Sequence, residues 1–105
     1  MEFIETPVFT KRIIEILTDE EYRSLQEKLV EKPDAGKLIS QGKGLRKYRW
    51  AALGKGKSGG VRIIYYLYLS DNKIYLLFSY KKSVQEDLSE EQIKILINYV
   101  KGGVV

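Results

Sequence analysis

Residues 61–69 read Val-Arg-Ile-Ile-Tyr-Tyr-Leu-Tyr-Leu, a stretch in which every residue but Arg62 is β-branched, aromatic or leucine. A run of that kind has one comfortable home, a central strand with both faces covered, and the rest of the chain must supply the cover. Asp71-Asn72 follows as a turn signal, and residues 73–80 alternate well enough to be its antiparallel partner. Upstream, residues 45–52 are also strand-like, so three strands are expected in succession. With 105 residues and 44% hydrophobic content, the chain is predicted to form a single domain, residues 1–105, around one modest core.

The remaining segments read as helices. Residues 2–5 suggest a short first strand. Thr6-Pro7 then has the form of an N-cap followed by a proline in the first turn, opening a helix over roughly 7 to 17 with Phe9, Ile13, Ile16 and Leu17 on one stripe. Thr18 and Glu21 make a capping box for a second helix carrying Tyr22, Leu25, Leu29 and Val30, which Pro33 ends. Ser89 and Gln92 repeat the device for a last helix with Ile93, Leu96, Ile97 and Val100 inward, closed by Gly102-Gly103. The order β-α-α-β-β-β-α predicts an α+β fold: an antiparallel sheet of about four strands, an N-terminal helical hairpin and a C-terminal helix.

Charge divides the chain unevenly. Residues 35–70 hold Lys37, Lys43, Arg46, Lys47, Arg49, Lys55, Lys57 and Arg62 and no acid, so a +8 middle sits against a −4 remainder. Such a segment attracts polyanions, with nucleic-acid phosphate the usual candidate, and Lys43, Arg46, Lys47 and Arg49 are expected to contact RNA. The alternative is a solvated basic hairpin without a partner. There is no cysteine and no histidine, which removes disulfides, thiolate nucleophiles, Cys-type zinc sites and the commonest neutral-pH general base. No metal or other cofactor is expected. No apolar run reaches membrane-span length, and Met1-Glu2-Phe3 lacks the cationic start of a secretion signal, so the expected compartment is the cytoplasm with no membrane partner.

The stretch Gly54-Lys-Gly-Lys-Ser-Gly-Gly60 fits two well-known phosphate motifs superficially. Gly54, Gly56 and Gly59 satisfy GxGxxG, yet a strand follows where a dinucleotide fingerprint opens a helix. Gly56-Lys57-Ser58 ends like a P-loop, but Ala51 stands where its first glycine belongs. What remains is a glycine-rich connection with two lysines, able to bring backbone N–H groups close to a phosphate. If the hairpin turns at Asp71-Asn72, position 62 falls opposite roughly position 81, and Lys55, Lys57, Arg62, Tyr80 and Lys82 converge at one end of the sheet. This cluster suits metal-free RNA cleavage, in which the ribose 2′-OH attacks the adjacent phosphorus and cations meet the charge building on its oxygens. Arg62 is the favoured charge stabiliser. The base stays open among Lys55, Lys57 and Lys82, whose pKa neighbouring cations would lower, and Tyr80 could stack on a base or stabilise charge. Tyr80 as sheet packing and Lys82 as a solvated strand end is the competing reading.

Four segments resemble the RelE/HigB-type toxins of bacterial toxin–antitoxin pairs: Gly44-Leu-Arg-Lys-Tyr-Arg49, Gly54 through Tyr66, Tyr80-Lys-Lys82 and Glu86-Asp-Leu-Ser89. The resemblance implies a RelE/ParE-like fold and an endoribonuclease that cuts messenger RNA in a translating ribosome. Carried to matching positions, Lys55 and Lys57 would contact phosphate or act as base, Arg62 would stabilise the transition state, Tyr80 would stack or handle a proton, and Lys82 would add charge. It also implies a cognate antitoxin, usually of helix-turn-helix type. Ser83-Val84 departs from the Asn-Glu found in related sequences, and Glu86 and Asp87 read as surface acids before a helix. Two alternatives are a non-catalytic relative on the same scaffold, such as a gyrase-poisoning toxin, and a plain RNA-binding fold.

Overall fold

The computed structural model describes residues 1–51 and 60–104. The elements are β1 (Glu2–Glu5), α1 (Pro7–Ile16), α2 (Asp19–Glu31), β2 (Lys37–Leu38), β3 (Leu45–Trp50), β4 (Val61–Tyr68), β5 (Lys73–Lys81) and α3 (Glu90–Tyr99). The fold is α+β as expected, but the sheet has five strands, not four, in the order β1-β5-β4-β3-β2. The extra strand is β2, only two residues long, which no periodicity could reveal. Lys37 pairs with Lys47 and Leu38 with Arg46. β1 joins β5 in parallel, from Glu2 beside Lys73 to Glu5 beside Leu76, while every other pairing is antiparallel. The chain therefore enters at one sheet edge and reaches the other only after the helical hairpin.

β4 is the central strand, and Val61 to Tyr65 are buried without a break. Val61, Ile63 and Tyr65 face the helical hairpin and pack with Phe9, Ile13, Leu17, Leu25, Leu29, Ile74 and Leu76 in the main core. The opposite face is thinner, with Leu45, Tyr75 and Leu77 meeting Leu96, Ile97 and Val100 of the last helical segment. The helix stripes hold except at Val30, which is half exposed because α2 turns that side to solvent. Both capping boxes form, at Thr18–Glu21 and Ser89–Gln92. Thr6 caps α1 by accepting the Phe9 amide at 3.0 Å and donates its own hydroxyl to the Leu77 carbonyl at 2.9 Å, which fastens α1 to β5. Beyond Tyr99 the chain continues as a π-helical turn, Val100–Val104, so the expected glycine stop comes later than the α-helix end. Among the described residues no helix is long and apolar enough to cross a membrane.

The turn between β4 and β5 is a 3-10 turn, Leu69–Asp71, ended by Asn72 in the left-handed region at φ 55°. A bulge between Ile64 and Tyr65 then shifts the register. As a result Arg62 lies opposite Tyr80, and Val61 opposite Lys81, one residue from the pairing that a simple turn at Asp71-Asn72 predicts.

Candidate nucleic-acid site

Strand register sets one row of side chains across three strands: Arg49 on β3 opposite Arg62 on β4, opposite Tyr80 on β5. The next row towards the turn is Lys47, Ile64 and Phe78. Alternation puts both rows on the face away from the helical hairpin. A cavity of about 430 Å³ opens there, lined by Ala35, Lys37, Lys47, Tyr48, Arg49, Arg62, Lys82 and Glu86. Five of those eight residues are cationic and one is acidic, so the hollow is an electropositive basin.

Arg62 is only 4% exposed, an unusual setting for a guanidinium and one that holds it in a defined place. Tyr80 is 2% exposed, and its hydroxyl has no hydrogen-bond partner among the described residues. Burial pushes its pKa up, the nearby Asp87 carboxylate adds to the rise and Arg62 opposes it, so the phenol stays protonated at neutral pH. With its ring enclosed and tilted against Phe78 at 6.0 Å between centroids, Tyr80 offers no open face for stacking on a base. The Lys82 amide donates to the Gly60 carbonyl at 3.1 Å, tying the end of β5 to the base of the β3–β4 connection. Gly60 itself, at φ +66°, leaves no room for a Cβ, which would stand 2.4 Å from the Trp50 carbonyl oxygen. Lys55 and Lys57, the other expected site residues, lie outside the described residues.

The four lysines and arginines expected to contact RNA separate. Lys47 and Arg49 line the basin. Arg46 belongs to the opposite face, where its Nη1 donates to the Gly36 carbonyl at 2.7 Å and the Asp34 carbonyl at 3.3 Å. Lys43 sits in the turn before β3 at φ 51°, at the opposite end of that strand from Arg49. Lys37 enters the basin through β2, a strand that sequence reasoning missed.

Asp87 is the larger omission. It is the exposed acid before a helix that the sequence suggests, and its Oδ1 also accepts from Lys47 Nζ at 3.2 Å and from the Leu88 amide at 2.9 Å. Partial burial works against its ionisation, but those two hydrogen bonds and the charges of Lys47 and Arg62 outweigh it and hold the carboxyl below its usual pKa. The sequence signal was faint, a single acid two places before the Ser89 cap. Among the described residues no three His, Cys, Asp or Glu side chains gather as a metal site would require.

A second cavity, about 450 Å³, lies between the start of α1, β5 and α3 and is lined by Thr6, Pro7, Val8, Leu77, Phe78, Gln92, Ile95, Leu96 and Tyr99. No charged side chain lines it, so it has nothing with which to hold a phosphate, and the cation-lined basin is the better candidate for chemistry.

A helical hairpin on one face of a mostly antiparallel sheet, a last helix on the other and a basic hollow at the strand ends together define the RelE-like α+β class. The chain matches the family model of the RelE toxin of the RelE/RelB toxin–antitoxin system over residues 9–102, and it belongs to that family. It is a toxin of a toxin–antitoxin system, and the family implies a cognate antitoxin as its partner.

Proposed function

We propose that this toxin is an endoribonuclease that cuts messenger RNA on the ribosome, without a metal, and so arrests translation. The reading rests chiefly on one observation: a buried Arg62, in register with Arg49 and Tyr80, on a basin whose other cations are Lys37, Lys47 and Lys82 and whose one acid is Glu86. In the reaction the ribose 2′-oxygen bonds to phosphorus as its proton passes to a base, the P–O5′ bond breaks and the leaving 5′-oxygen takes up a proton from water. The products are a 2′,3′-cyclic phosphate and a 5′-hydroxyl. A guanidinium already fixed in place spends little on reorganisation when charge develops on the phosphate oxygens, which makes Arg62 the principal stabiliser. Tyr80, protonated, without a hydrogen-bond partner among the described residues and opposite Arg62, supplies a second donor to that charge once RNA occupies the basin. Lys82 adds positive potential. The base is one of Lys55, Lys57 and Lys82.

The test incubates the protein with programmed ribosomes and with naked messenger RNA and maps the cut ends, with Arg62→Ala and Tyr80→Ala alongside. Cleavage that persists in chelator, leaves cyclic or 3′-phosphate ends, and falls at least ~100-fold in Arg62→Ala is expected. No cutting of either substrate, or variants as active as the parent, would overturn the reading.

A further inference from the structure

Glu86 is the acid that lines the basin, and its sequence neighbour Asp87 stands at the rim against Lys47. Asp87 comes from the connection between β5 and α3, yet its carboxylate reaches Lys47, forty residues away in sequence, at 3.2 Å. Its charge also acts on Arg62 and on Tyr80. It is held there by design of the connection: Gln85 Nε2 donates to the Asp87 carbonyl at 2.9 Å and to Gln92 Oε1 at 2.5 Å, and that same Gln92 oxygen accepts the Ser89 amide of the capping box. The fold thus anchors the backbone of residue 87 to the start of α3 and leaves its carboxylate beside the cations.

We propose that Asp87 is an affinity-determining residue that stands in for a backbone phosphate: in the free toxin it occupies the Lys47 position, and a phosphodiester of the incoming strand displaces it. This rests on the reading of the basin as an RNA site. The ion pair is suited to displacement because it is exposed, with the Lys47 side chain 30% and the Asp87 side chain 65% accessible, and pairs that open to water hold weakly. A carboxylate brings one negative charge and a fixed tether, while a phosphodiester brings its charge with neighbouring phosphates that engage Lys37, Arg49 and Lys82 together. Single isolated anions therefore compete poorly with Asp87, and a polyanion competes well. The effect is to set the basin's preference for a strand over a lone phosphate.

The pairing has a thermodynamic signature. Each phosphate that a lysine neutralises frees about one condensed cation from the RNA, but a displaced Asp87 carboxylate takes up a cation in return, so removing that carboxylate raises the net release by about one. Asp87→Asn keeps the side-chain oxygen for the Leu88 amide and removes only the charge. The experiment measures binding of a short 2′-O-methyl single-stranded RNA, which cannot be cleaved, by fluorescence anisotropy over a salt series, with wild-type protein and Asp87→Asn. The variant is expected to bind several-fold tighter at low salt, with a log–log salt slope steeper by about one. It should also gain affinity for inorganic phosphate, measured by competition. Equal slopes and affinities, or weaker RNA binding by Asp87→Asn as a positioning role for Lys47 would give, overturn the proposal while leaving the RNA reading intact. Failure of both proteins to bind the RNA at any salt overturns the RNA reading and this proposal with it.

Discussion

Tyr80 shows how a single residue in this protein departs from what stability alone would select. Its hydroxyl is buried, protonated and unpartnered among the described residues. Enclosing a hydroxyl without a hydrogen bond costs about 1–3 kcal/mol, and removing it while keeping the ring recovers part of that. Tyr80→Phe is therefore expected to raise unfolding free energy by about 1 kcal/mol in urea titration and to lower the cleavage rate in the ribosome assay. A loss of stability in Tyr80→Phe would show that the hydroxyl has a structural partner after all. Tyr65, on the neighbouring strand β4 and the opposite face of the sheet, makes the contrast. Its hydroxyl donates to the Pro33 carbonyl at 2.7 Å and accepts the Gly36 amide at 2.8 Å, and it fastens the chain between α2 and β2 to the sheet. Gly36 has to be glycine for that contact, since a Cβ would lie 2.7 Å from the Tyr65 ring.

At the scale of elements, two identical capping devices have different consequences because the helices they start are buried differently. α2 places Leu25 and Leu29 in the main core, whereas α3 has no fully buried residue and rests on the thinner face. Thr18→Ala is expected to reduce global stability by about 1 kcal/mol, seen as a lower urea midpoint with unchanged slope. Ser89→Ala removes the same kind of hydrogen bond, but its cost falls on local opening of α3. Its expected mark is faster amide hydrogen exchange in α3 with a smaller change in the global midpoint. Because Gln92 also holds Gln85, loosening this cap frees the Asp87 connection as well.

For the whole molecule, the tyrosines set an alkaline limit. Tyr22, Tyr65 and Tyr80 all have raised pKa values, burial being the leading cause in each, with the hydrogen bond from Tyr22 to the Glu5 carboxylate adding to its rise. In the unfolded chain these phenols ionise near pH ~10, and in the folded chain later. The stability they contribute is thus complete below about pH 10 and lost as pH rises from there through the folded values. Phenolate absorbance at high pH should include a late fraction that appears together with loss of the circular dichroism signal. Ionisation of every tyrosine with the fold intact would contradict this account.

What could be read from the sequence is what local interactions control. The caps at Thr6, Thr18 and Ser89, the stripe of Phe9 and Ile13, the central strand at Val61 and the acid-free middle all follow from neighbours within a turn or from composition, and they were enough to indicate the α+β class and its family. The tertiary structure decided what depends on distant partners. The parallel seat of β1 on β5 joins segments some seventy residues apart, and the two-residue β2, the face on which Arg46 ends and the bulge that sets Arg62 opposite Tyr80 depend on how neighbouring strands register. Asp87 is the clearest case, an unremarkable acid until the fold carries it across to Lys47. Register and long-range electrostatics have no local signature, so the cationic make-up of the basin was legible as a set of residue types, and its geometry only in three dimensions.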